Sequence, residues 1–138
     1  MGEKTNSGLV RLGESSDVDW FVETCHRYYG DRIKDLAACK KWAENHMHNQ
    51  NVIFVRTDES FGIATLASNF FDLQPIVTFH FFGGKIWEIR PIFNTIIQWG
   101  RDNNAKELYF CASTGYNIEP LAKRMGAIPF YPTYFLKL

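Results

Sequence analysis

The most constraining stretch of this chain is the one from Ile76 to Gly100, where the hydrophobic period changes in the middle. An apolar extended run, Ile76 to Phe82, stops at Gly83-Gly84-Lys85, and from Ile86 the apolar positions Ile86, Ile89, Phe93, Ile96 or Ile97 and Gly100 fall on one side of a helix. A strand, a tight glycine turn and a helix in immediate succession require an α/β arrangement in which the helix packs back on the sheet. Pro91 fits only the first turn of that helix, since deeper its ring would clash with a preceding carbonyl.

The flanks extend the pattern. Leu9 to Leu12 reads as a short strand, and Ser15-Ser16-Asp17 offers N-cap oxygens to a helix whose inner face is Val18, Phe21, Val22 and Cys25 and which Gly30 ends. A second helix is expected from about Asp31 to His48, with Ile33, Leu36, Ala37, Cys39 or Lys40, and Ala43 inside. Asn51 to Val55 and Phe61 to Ala67 are two strands joined by the polar tip Thr57-Asp58-Glu59-Ser60, hence antiparallel. Glu107 to Ala112 is an apolar strand expected at the centre of the sheet. Ile118 to Met125 is a short helix ended by Gly126, and Ile128 to Leu136 is a last strand interrupted by Pro129 and Pro132. The order β-α-α-β-β-β-α-β-α-β in 138 residues predicts one domain over residues 9–138, behind a mobile stretch of residues 1–8.

Composition narrows the class of function. Fifteen basic residues balance fifteen acidic ones, which argues against binding to nucleic acid or an anionic membrane, where a basic excess neutralises phosphate. The uncharged runs on either side of Asp72 fall short of the ~18 apolar residues of a spanning helix. Met1 to Asn6 has no apolar signal core, so the expected address is the cytoplasm. Cys25, Cys39 and Cys111 are odd in number and widely spaced, reading as buried thiols of a reducing compartment.

Several residues invite chemistry. His80 lies on the strand just before the glycine turn, with an ordinary pKa near ~6.5 that suits a general base; the plainer reading is a half-buried histidine bonded to a neighbour. Alternation puts it on one face with Ile76, Thr78 and Phe82, opposite Val77, Phe79 and Phe81. Gly83, Gly84 and Lys85 could form an anion nest at a helix N-terminus, although Glu88 adds negative charge there. Tyr116 and Asn117 follow the Glu107 strand, where α/β sheets open a crevice, though Asn117 reads equally well as a turn residue. Phe70 and Phe71 sit in a strand connection where large apolar groups are unexpected, and with Tyr131 and Tyr134 they could line a substrate groove or a subunit contact. Cys111, in an apolar strand, is expected to be inert, and no metal is expected at Glu44, His46 and His48, because helix residues two apart diverge.

On the order of elements and on Val10-Arg11 with Ser16-Asp17, Phe61-Gly62-Ile63-Ala64, the Phe79 to Trp99 strand-turn-helix and Leu121-Ala122-Lys123-Arg124-Met125-Gly126-Ala127, the chain resembles the GNAT-type N-acetyltransferase superfamily. The resemblance spans about Leu9 to Leu136. It implies a mixed, mostly antiparallel sheet flanked by helices, and acetyl-CoA as co-substrate for acyl transfer to an amine on a small molecule or a protein. Gly83, Gly84 and Lys85 would hold the pyrophosphate, Asn117 the pantetheine arm, and His80 would be the base. The family's coenzyme loop, Gln/Arg-x-x-Gly-x-Gly/Ala, is here Phe82-Gly83-Gly84-Lys85-Ile86-Trp87-Glu88, and Ala122 stands where many members carry a tyrosine that protonates the departing thiolate. These departures point to an alternative: a catalytically inactive GNAT-fold protein serving as a binding, assembly or virion component, similar to short phage-encoded proteins, as a homo-oligomer or with a protein partner.

Overall fold

The computed structural model describes residues 9–47, 49–110, 118–129 and 136–138. Strand β1 (Arg11–Leu12) is followed by α1 (Val18–Tyr29), α2 (Leu36–His46), β2 (Val52–Arg56), β3 (Phe61–Ser68), β4 (Pro75–Gly83), α3 (Ile89–Asp102), β5 (Glu107–Tyr109) and α4 (Glu119–Arg124). The strands form one sheet in the order β1-β2-β3-β4-β5. The first four are antiparallel neighbours, whereas β4 and β5, joined through α3, are parallel from Ile76↔Glu107 to Thr78↔Tyr109. Such a pair needs a crossover long enough to return the chain to the same end, which α3 supplies.

Two layers of core cover the sheet. On one face Ile53, Val55, Ala64, Val77, Phe79 and Phe82 pack against Ile89, Ile92, Phe93 and Ile96 of α3 and Leu121 of α4. On the other, Phe54, Phe61 and Ile63 meet Val18, Phe21 and Cys25 of α1 and Ala43 of α2, with Phe21 edge-on to Phe61 at 4.9 Å. Close approach of α3 requires Gly62, where a Cβ would lie 2.5 Å from Ile92 Cγ2.

A buried charge cluster ties the start of α1 to the sheet. Asp17 accepts hydrogen bonds from Arg56 Nη1 at 2.8 Å, from Arg11 Nη1 at 3.2 Å and from the Glu14 amide at 2.8 Å, while the Arg56 guanidinium lies 3.4 Å over the Trp20 ring. Burial pushes the Asp17 carboxyl up, but the Arg11 hydrogen bond, the Glu14 amide and the Arg56 charge together outweigh it and hold the group below the usual carboxylate range.

The structure corrects the sequence reading in several places. The second helix starts at Leu36, because the Asp35 side chain accepts from the Ala38 amide at 3.0 Å and caps it there, while residues 30–32 form a separate 3-10 turn. Of the stripe expected for it, only Ala43 is buried. Residues 86–88 are likewise a 3-10 turn, which leaves Ile86 43% exposed and brings Ile92 into the inner face instead. Among the described strands β5 stands at one edge of the sheet and β1 at the other. Cys111 and most of the expected last strand fall outside the described residues.

Candidate functional site

The expected alternation along β4 breaks at His80. Ile63 pairs with Phe81 and the next residue, Ala64, with Phe79, so His80 is an extra residue without a partner on β3. Such a bulge turns two successive side chains to the same face. Val77, Phe79 and Phe82 accordingly all join the α3-side core, so Phe81 and Phe82 lie opposite to their expected faces, while His80 keeps the face it was expected to share with Thr78 and is joined there, on the α1 side, by Phe81. There α1 has already ended, at Gly30 with φ +53°. His80 and Phe81 are therefore exposed while Thr65 and Thr78 are half-buried.

The His80 ring is held by its neighbour, Thr65 Oγ1 lying 2.7 Å from Nε2. Partial burial pushes its pKa below the ordinary imidazole value, so the ring is neutral at pH 7 and able to accept a proton. Tyr29, the last residue of α1, borders the same region: its ring meets Phe81 edge-on at 6.4 Å and its hydroxyl donates to the Phe82 carbonyl at 2.5 Å.

The glycine turn lies at the end of the same strand. Gly84 has φ +134° and a Cβ there would lie 2.2 Å from Ser60 Oγ, so the β2–β3 turn is packed directly on it. Ser60 Oγ accepts from the Lys85 amide at 2.8 Å and donates to Glu88 Oε1 at 2.5 Å; Thr57 Oγ1 donates to the same carboxylate oxygen at 2.9 Å. Glu88 is thus buried against two hydroxyls, 5% exposed, and the Lys85 amide points inward. On its open side the turn offers an anion the Lys85 ammonium, 3.9 Å from Glu59, and the positive end of the fourteen-residue α3, whose Pro91 contributes no N–H.

The other sequence-derived candidates are dispersed. Phe70 and Phe71, 86% and 89% exposed, form the tip of the β3–β4 hairpin, held by Asn69 Oδ1 accepting from the Phe71 amide at 2.8 Å. They stand one strand-length from the glycine turn, roughly 25 Å at about 3.3 Å per residue. Tyr116, Asn117 and Tyr134 lie outside the described residues. His46 stacks on Trp42 at 4.8 Å, and among the described residues no three His, Cys, Asp or Glu side chains converge as metal ligands. A hollow lined by Val77, Ile97, Gly100 and Leu108 sits at the other end of the sheet and touches none of these groups. Sequence reasoning missed Thr65, Tyr29, Thr57 and Ser60. Thr65 alone left a signal, as a polar residue in register with the buried Phe61 and Ile63.

No protein-family model matches the sequence, and no curated protein matches it significantly. Solved structures match it in shape. A probable acetyltransferase superposes with a TM-score of 0.76 at 10% identity, covering 94% of this chain and 97% of the other. The ribosomal-protein-alanine N-acetyltransferase of Brucella melitensis biovar Abortus 2308 gives 0.72 at 11%, covering 94% and 99%. The aminoglycoside N-acetyltransferase AAC(6')-Iy in complex with CoA gives 0.75 at 11%, covering 94% and 93%. Likeness at such low identity is a likeness of fold. With four antiparallel strands, an α3 crossover and a parallel fifth, the chain has the fold of the GNAT-type N-acetyltransferases.

Proposed function

We propose that the chain is a cytoplasmic acyl-CoA-dependent N-acyltransferase that moves an acetyl group from acetyl-CoA to a primary amine. The observation that carries this reading is His80 on the open face of a GNAT-type sheet, its Nε2 2.7 Å from Thr65 Oγ1, three residues before the glycine turn. An amine attacking a thioester must shed a proton, and His80, or a water it orders, takes it. At the far end of β4, Gly83, Gly84 and Lys85 bind the pyrophosphate through the Lys85 charge and the start of α3. Asn117 meets the pantetheine arm. Tyr116 and Tyr134 border the acceptor path, and Phe70 and Phe71 meet the outer part of an extended acceptor, on a small molecule or a protein. Ala122, half-buried on α4, supplies no proton to the thiolate, which takes one from solvent.

Calorimetric titration with acetyl-CoA tests the site. Micromolar binding that Lys85→Glu weakens at least ~10-fold (~1.4 kcal/mol) is expected, and absence of heat at millimolar ligand overturns the reading. A second reading, a GNAT-fold binding, assembly or virion component without catalysis, draws on the inward-turned Lys85 amide and on the Glu88 carboxylate held beside the turn. It predicts no binding in that same titration.

A further inference from the structure

In an unbroken β3–β4 ladder His80 would stand opposite Ile63. The extra residue takes it off that pairing but leaves it on the same face, where its ring lies against Thr65, itself in register with Thr78. Thr65 Oγ1 is 2.7 Å from Nε2, and among the described residues Nδ1 has no hydrogen-bond partner. Threonine is stiff at χ1, so a hydroxyl on a paired strand is a fixed point for the ring. The bond made by one imidazole nitrogen decides which tautomer the other adopts.

We infer that Thr65 is a positioning residue for His80, its hydroxyl accepting from Nε2–H so that Nδ1 carries the lone pair presented to the acceptor amine. The inference rests on the reading of His80 as the base. In the transfer step the amine nitrogen forms its bond to the acyl carbon and gives a proton to Nδ1, while the carbon–sulfur bond of the thioester breaks and CoA leaves as its thiolate, which takes a proton from solvent. The resulting imidazolium keeps Nε2–H on Thr65 and releases the Nδ1 proton to solvent. Loss of the hydroxyl leaves the ring free to rotate and to populate Nδ1–H, the form that cannot accept that proton.

The test is ring-nitrogen NMR on the full chain labelled with 15N-histidine, His80 being assigned by the signals lost in His80→Gln. Turnover of acetyl-CoA with a panel of primary amines is measured in parallel. Wild-type protein is expected to show one neutral tautomer, Nε2–H. Thr65→Val, close in shape, should show a mixture of both, and a kcat about 10-fold lower with KM for acetyl-CoA unchanged, as for other lost orienting bonds. Thr65→Ser should restore both. A wild-type ring protonated on Nδ1, or a Thr65→Val ring identical to wild type, overturns the inference whatever the activity. If Thr65→Val does not fold, failure of Thr65→Ser to keep the wild-type tautomer overturns it equally. A ring that responds in a protein without any transferase activity overturns the catalytic role and, separately, the proposed function.

Discussion

Ser60 is completely buried and its hydroxyl is used twice, as donor to Glu88 Oε1 at 2.5 Å and as acceptor from the Lys85 amide at 2.8 Å. Ser60→Ala removes both bonds and changes little else in volume. A hydrogen bond to a carboxylate contributes about 1.5–3 kcal/mol, and a stranded amide costs about 1–3 kcal/mol. Glu88 keeps Thr57, and the Lys85 amide hydrogen bond is only part-buried, so both losses fall toward the lower end and sum to about 3 kcal/mol. With a urea slope of about 2 kcal/mol per molar, the unfolding midpoint should fall by about 1.5 M. The cost should also depend on the carboxylate: in a Glu88→Ala background the same substitution should cost about 1.5 kcal/mol less, a coupling energy readable from a double-mutant cycle. A midpoint shift below about 0.5 M, or strict additivity of the two substitutions, would refute the view that this hydroxyl pins the glycine turn to the β2–β3 turn.

Two further perturbations follow from the core. Asp17 has a folded pKa below its unfolded value of about 3.9, so its contribution is fully present above that pH and fades as pH falls through the folded value. Asp17→Asn should therefore cost about 2–3 kcal/mol at pH 7, because the buried Arg56 keeps only neutral acceptors and the Trp20 face and loses its counter-charge, and the gap to wild type should narrow in acid; a gap that does not narrow as pH falls counts against the ion pair. Gly62→Ala forces a methyl to within 2.5 Å of Ile92 Cγ2 and 3.3 Å of Phe79 Cζ, and should lower the calorimetric midpoint by roughly 6–8 °C for a loss of about 2 kcal/mol; a shift under about 1 °C would show that α3 can move away freely.

What the sequence made legible was local, and what it hid was pairing at a distance. The change of period at Gly83-Gly84 was visible because both periods are written in neighbouring residues. The bulge was not, since the extra residue exists only relative to the register of β3, and the alternation rule carried Phe82 to the wrong face. Glu88 read as a charge on an open helix end; its partners Thr57 and Ser60 lie 31 and 28 residues away, and nothing near Glu88 announces them. The late start of α2 is a different failure. The expected start at Asp31 falls inside the 3-10 turn Gly30–Arg32, and the Asp35 side chain caps the helix four residues later. For the proposed site, His80 and the glycine turn stood out by residue type and position, whereas Thr65 lies 15 residues from His80 and its contact with the ring is visible only in the strand pairing.

The two faces of β4 explain why polar groups are tolerated where they are. On the α3 side, Val77, Phe79 and Phe82 are all buried, and a histidine there would lose hydration without a partner. On the other side the cover is short: α1 shields Phe61 and Ile63, then stops at Gly30, and its last side chain, Tyr29, reaches across to the Phe82 carbonyl. The glycine in the left-handed region ends the roof, and the extra residue in β4 adds Phe81 to the face on which alternation already sets His80. A longer α1 would cover the ring. As it stands the imidazole is half-open, with the Thr65 hydroxyl on one nitrogen and solvent access on its face, a geometry compatible with the proposed role of His80 as a base.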